Sequence, residues 1–212
     1  MPVFFSGPCQ APAWSELERF DIVRLNPGES YSFERIGVKE KLIVGAGACR
    51  VALDGSAGHC VETRANLDLT SGDGMFRVTD VSDATTLIHL AGRWGDELGG
   101  SGIFTCANVD HRSDGGDPVA YPKTTNFDSH FHDCDEFWIL FEGWAEVVSE
   151  GQHYNVGPGD CVATGMGHHH DVAVVREPIC AVYLETTMQG QERRGHLWDH
   201  KHGSAEPQPE RS

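Results

Sequence analysis

Apolar residues in this chain come in short bursts. Runs such as Ile22-Val23, Leu42-Ile43-Val44, Val147-Val148, Val172-Ala173-Val174-Val175 and Ala181-Val182 are separated at strand-length intervals by Gly, Pro, Asn, Asp and Ser. That punctuation predicts many short β-strands, and the fold class expected is all-β. One stretch departs from it: Trp14, Leu17 and Phe20 lie three residues apart, which predicts a short helix over residues 13–20. Further on, period-two alternation would put Thr124, Asn126 and Asp128 on the face of His130, with Phe127 and Phe131 facing away. By the same rule Trp138 and Leu140 share the face of Glu136 as an apolar floor, and Tyr183 shares a face with Glu185.

The chemistry is concentrated where this pattern meets histidine. His130 and His132 are two residues apart, so in an extended segment both imidazoles point the same way. Glu136 is an even number of positions further on and joins that face once the chain bends at Asp133-Cys134-Asp135. His170, the last of His168-His169-His170 and just ahead of an apolar strand, can close the set from a neighbouring strand. Imidazole nitrogens with one carboxylate suit one divalent transition metal per chain, Zn²⁺, Fe²⁺, Mn²⁺ or Ni²⁺, and disfavour calcium, which prefers oxygen. The ion would keep a net positive charge and open positions, which allows Lewis-acid, water-activating or oxygen chemistry.

The spacing His130-x-His132-x3-Glu136-x6-Gly143 resembles the first signature of the cupin superfamily. The second signature, Gly-Asp followed by Pro-x-Gly-x-x-His, is similar to the stretch from Gly159-Asp160 to His170, with Gly165 where the pattern prefers proline. The resemblance covers about residues 119–190. It implies a small antiparallel barrel of the double-stranded β-helix, jelly-roll-like kind, a metal held inside by His130, His132, Glu136 and His170, and a homodimer.

The first half repeats the second in weakened form. A shift of 96 residues superposes Glu40 on Glu136, Gly47 on Gly143 and Gly55 on Gly151, and a shift of 87 superposes residues 69–73 on 156–160. The expected organisation is two cupin-type barrels in tandem: residues 1–105, residues 106–203, and a disordered tail over 204–212. The join falls near Thr105-Cys106 or in the polar stretch 110–118. His130 and His132 correspond to Glu34 and Ile36, so the first barrel is expected to hold no metal and to supply core, interface or a pocket wall. Its histidines, His59 and His89, are read as structural.

Charge narrows the partners. Against 16 basic residues stand 32 acidic ones, a formal net charge of −16 that repels phosphate backbones and anionic lipid, so neither nucleic acid nor membrane is expected. The start of the chain lacks the basic and long apolar regions of a signal peptide, and a cytoplasmic protein acting on a small molecule is expected. Seven cysteines at positions 9, 49, 60, 106, 134, 161 and 180 are odd in number and form no CxxC pair, against a disulfide framework or thiolate zinc site. Cys134, between two proposed ligands, is read as a packed thiol.

Candidate acid/base groups are Tyr183, Glu185 and His168. Tyr121 and Lys123 are read as solvated loop residues, with an anionic substrate as the other possibility. Three functions compete: a metal-dependent isomerase, epimerase or lyase on a sugar, sugar acid or hydroxy-acid; an Fe²⁺-dependent dioxygenase, favoured by Trp138 and the phenylalanines; and a non-catalytic small-molecule binding module.

Overall fold

The computed structural model describes residues 3–5, 11–53, 56–69, 74–111, 115–188, 190 and 192–212. These fall into two compact units, one built on Glu16–Arg93 and the other on Trp94–Ser212 with Pro12–Ser15 and strand β1 (Val3–Phe5).

The Glu16–Arg93 unit contains β2 (Leu17–Leu25), β3 (Tyr31–Glu34), β4 (Lys39–Ala46), β5 (Ala48–Leu53), β6 (His59–Glu62), β7 (Asn66–Asp68), β8 (Met75–Thr79) and β9 (Thr85–Gly92). Two antiparallel sheets, ordered β2-β9-β4-β7 and β3-β8-β5-β6, enclose Leu25, Leu42, Val44, Val51, Phe76, Val78 and Leu87. The helix expected over residues 13–20 is absent: from Leu17 onward the chain is strand β2, paired with β9. A register slip between Leu17 and Arg19 explains the misleading spacing. The extra residue of a bulge turns Leu17 and Phe20 to the same side, and both are fully buried.

The second unit contains β10 (Leu98–Cys106), β11 (Glu136–Ser149), β12 (Gln152–Val156), β13 (Asp160–Thr164), β14 (His170–Thr187) and the short helix α1 (Asp199–His202). One antiparallel sheet runs β1-β13-β11-β14-β10, with β12 also on β11. The long strands β11 and β14 slip register around Glu142 and Trp144, and this bends the sheet over its own core of Trp138, Leu140, Val147, Val172 and Ile179. Gly143 sits at the bend with φ +76°, and a Cβ there would lie 2.1 Å from the Pro178 carbonyl oxygen, so only glycine fits.

Among the described residues neither unit closes into the barrel expected. Among the described residues the second unit's sheet ends at β1 and β10, which do not pair with each other, so it is a curled, open sheet. Strand β10, placed by the sequence at the end of the first half, pairs with β14 from Leu98↔Thr187 to Cys106↔Ile179 and belongs to the second unit. Residues 204–212, expected to be disordered, lie against that unit: Gln208 N donates to the Met166 carbonyl at 3.3 Å, and Pro209–Arg211 forms a 3₁₀ turn. Cys9 and parts of both repeat matches and of the polar stretch (residues 55, 70–73 and 112–114) lie outside the described residues. No described helix is long and apolar enough to cross a membrane.

Candidate metal centre

Three backbone segments carry the ligand set. His130 and His170 form an isolated antiparallel bridge, with the His170 N–H donating to the His130 carbonyl at 2.9 Å. Glu136 opens β11 and His170 opens β14, and antiparallel pairing sets them at opposite ends of the ladder (Glu136↔Glu185, Ser149↔His170); the bend of the two strands brings them back within 2.7 Å of each other, beside the side chains carried by the loop before β11. All four side chains are buried. His130 Nε2 lies 3.1 Å from His132 Nε2, Glu136 Oε2 lies 3.2 Å from His132 Nε2, and the same oxygen lies 2.7 Å from His170 Nε2. Neighbouring donors bound at about 2.1 Å to one centre at right angles would be about 3 Å apart.

The outward faces of the rings test the fit independently. His130 Nδ1 donates to the Asp128 carbonyl at 2.9 Å, His170 Nδ1 donates to the His168 carbonyl at 3.1 Å, and His132 donates to the backbone of Gly195. Each ring thus places its proton on the outside. In the neutral form, Nε2 lone pairs and a carboxylate face one point, an arrangement that suits a cation and repels itself without one. The residues present fit a divalent transition metal.

Electrostatics agree. Burial, reinforced by the neighbouring histidines, holds His130 well below the ordinary histidine value. Burial also pulls His132 down, but the charge and hydrogen bond of Glu136 outweigh it and leave that ring above its usual value. Burial pushes Glu136 up, yet His132 and His170 hold it well below the carboxylate range. Without metal, the proton on His132 supplies the positive charge this pocket demands. Metal uptake is therefore expected to release about one proton near neutrality, and affinity to rise with pH through the His132 titration. Calorimetry in buffers of different ionisation enthalpy measures this; uptake with no proton release below pH ~6.5 would contradict it.

A cavity of about 400 Å³ opens beside the ligands, lined by Glu136, Trp138, Tyr183, Glu185, Phe104, Phe127, His196 and the backbone of Gly99, Gly100 and Gly195. Tyr183 and Glu185, two of the proposed acid/base residues, thus line one cavity with the candidate ligand Glu136. Burial raises the Glu185 carboxyl, with the Glu136 charge adding to it and His132 opposing, and burial raises the Tyr183 hydroxyl. Gly99 and Gly100 make the space: a Cβ at Gly99 would lie 2.7 Å from Glu185 Oε2 and 3.1 Å from Cys134 Sγ. Cys134 is buried, and desolvation followed by the charges of Glu185 and Glu136 pushes its thiol far up, as befits an inert packed group.

His168 does not reach this cavity. Its Nε2 hydrogen-bonds the Gln208 carbonyl at 3.0 Å. Phe127, expected to face away, instead lines the cavity, with its ring centroid 5.1 Å from that of Trp138 and 5.6 Å from that of Phe104. No strand spans residues 124–129, so the alternation rule does not apply there. The Lys123 side chain is not solvated either, and Tyr121 is only partly exposed. Both bind Asp171, next to the ligand His170: the Tyr121 hydroxyl donates at 2.6 Å and Lys123 Nζ lies at 2.5 Å.

His196 is the site residue that sequence reasoning missed. Its ring stacks on His130 at 3.7 Å with 2° between planes, and its Nδ1 bonds Asp128 Oδ2 at 2.9 Å, as does Trp198 Nε1. A lone histidine in a charged segment carries no periodic signal, and only folding of residues 193–198 over the site reveals it. In the other unit, His89 Nε2 bonds the buried Glu40 at 2.9 Å, and the N–H groups of Ile36 and Gly37 donate to the same carboxylate.

No family model matches the chain. The protein of Sinorhizobium fredii described as uncharacterized protein y4oW is 41% identical over 211 residues, spanning 100% of this chain and 96% of the relative. This chain belongs to the y4oW family. Among solved structures, hazelnut (Corylus avellana) vicilin superposes with a TM-score of 0.55 at 9% identity, covering 79% of this chain and 74% of that one. A mutant of Bacillus subtilis oxalate decarboxylase OxdC superposes with a TM-score of 0.52 at 12% identity, covering 82% and 69%. Both are cupin-domain proteins, and the y4oW-family chain shares their fold.

Proposed function

We propose that this member of the y4oW family is a metal-dependent enzyme that moves a proton on a small oxygenated molecule, an isomerase, epimerase or lyase. The observation that carries the reading is Glu185, a carboxyl raised by burial that lines the same cavity as the ligand Glu136. A bound divalent ion would supply Lewis acidity to a substrate oxygen. Glu185 is placed to take or return a proton beside it, and Tyr183 offers a second proton donor. Phe104, Phe127 and Trp138 receive the apolar face of the guest and keep water from it. In this reading the two units are tandem cupin domains. Glu40 and Glu136 each stand at the start of a strand, β4 and β11, that pairs antiparallel with β9 and β14 respectively.

The test is to strip the protein with a chelator, restore Zn²⁺ or Mn²⁺ without oxygen, and follow C–H exchange in D₂O across neutral sugars, sugar acids and hydroxy-acids by NMR. Exchange is expected to return with metal alone, and Glu185→Gln to lower it on the order of 100-fold or more with bound metal unchanged. The aromatic wall favours a second reading, an Fe²⁺-dependent dioxygenase on an aromatic substrate. Oxygen uptake with Fe²⁺ only, and no exchange with Zn²⁺, would select it.

A further inference from the structure

We propose that Arg211 is a positioning residue for the metal centre, acting through Asp135; the proposal rests on the reading of His130, His132, Glu136 and His170 as metal ligands. Asp135 immediately precedes Glu136, and its carboxylate is fully buried. One oxygen accepts the Met166 N–H at 2.8 Å and the other accepts Arg211 Nη1 at 2.7 Å. Met166 belongs to the turn between β13 and His170. That turn is tied to the other ligand segment by Gly167 N–H, which donates to the His132 carbonyl at 2.9 Å, and to the ligand itself by the His168 carbonyl, which accepts from His170 Nδ1. Asp135 is thus the joint between the two stretches that carry the ligands.

Residues 206–211 clamp the joint from outside. His168 Nε2 bonds the Gln208 carbonyl, and Gln208 N–H donates to Met166. Two glycines form the seat. A Cβ at Gly165 would lie 2.2 Å from the Arg211 carbonyl oxygen, and one at Gly167 would lie 2.3 Å from that of Glu206. Gly165 is the position where the signature motif prefers proline, and the departure has a physical reason: any larger residue would push residues 206–211 off the turn. A buried carboxylate that loses its cation loses the partner that fixes its position, and its movement would shift Glu136 and the turn before His170.

The test uses the full chain with Arg211→Ala, Arg211→Lys and Gly165→Ala, and with Arg50→Ala, an exposed partner of Asp80 in the other unit, as control. Zn²⁺ affinity is read by competition with a chromophoric chelator, site geometry by the visible spectrum of bound Co²⁺, and apo stability by thermal melting. Arg211→Ala and Gly165→Ala are expected to weaken Zn²⁺ roughly 10- to 100-fold and to alter the Co²⁺ spectrum, with Arg211→Lys recovering part of both and Arg50→Ala matching wild type. A lowered apo melting temperature with wild-type affinity and spectrum would assign Arg211 to stability alone and overturn the proposal. If Arg211→Ala does not fold, folded Gly165→Ala decides by the same two readouts. Wild-type protein that takes up no metal refutes the metal-centre reading itself, whereas metal-replete wild type beside an unaffected Arg211→Ala refutes only the role of Arg211.

Discussion

Replacing His132 with alanine is expected to empty the metal centre. His132 is the hinge of the donor ring, with Nε2 at 3.1 Å from His130 and 3.2 Å from Glu136, and its outer edge anchored on Gly195. Its loss removes a ligand directly. Losing only an outer partner of a metal ligand costs about 10- to 100-fold in affinity, so the fall here should exceed about 100-fold. Metal content after dialysis against a chelator, measured by elemental analysis, should drop to background, and turnover should go with it. His153→Ala, an exposed ring paired with Glu146, should keep full metal content. Wild-type metal content in His132→Ala would remove the four-donor site from consideration and leave the cavity without its chemistry.

Lys123→Met should be the most destabilising of single changes away from the ligands. The side chains of Lys123 and Asp171 are 2% and 1% exposed, so replacing the lysine leaves a buried carboxylate with the Tyr121 hydroxyl but without its counter-charge. Breaking one side of such a pair costs about 3–5 kcal/mol, whereas removing both charges together is far milder. The melting temperature should fall by roughly 10 °C in Lys123→Met, and Lys123→Met with Asp171→Leu should recover most of it. Equal losses in the single and double variants would mean that the pair contributes packing and not charge balance. Because Asp171 follows His170, the same buried pair holds the start of β14 in register with the loop that carries Tyr121.

The ligand set was legible because its residues obey local rules. Two histidines at period two, a carboxylate an even number of steps on, and a glycine at the strand bend each leave a mark at short range. Gly143 is the plainest case, since a positive φ and the nearby Pro178 carbonyl both demand glycine. The misreadings have separate causes. Leu17 and Phe20 mimic helical spacing because a bulge breaks the strand's alternation, and Phe127 lines the cavity because its segment is not a strand. Lys123 looked solvated because its partner Asp171 is 48 residues away.

By itself the sequence determined the β-rich class and put His130 with His132, and Tyr183 with Glu185, on shared faces, all of which follow from periodicity within single segments; the full candidate ligand set with Glu136 and His170 came from the resemblance of two distant stretches to the cupin signatures. Only the tertiary structure decided that the second unit's sheet stays open, that His196 stacks on His130, and that residues 206–211 seat on Gly165 and Gly167. Each of these depends on contacts between segments far apart in the chain. No local pattern encodes such contacts, because the partner that satisfies a buried charge or fills a glycine's missing side chain is chosen by the fold.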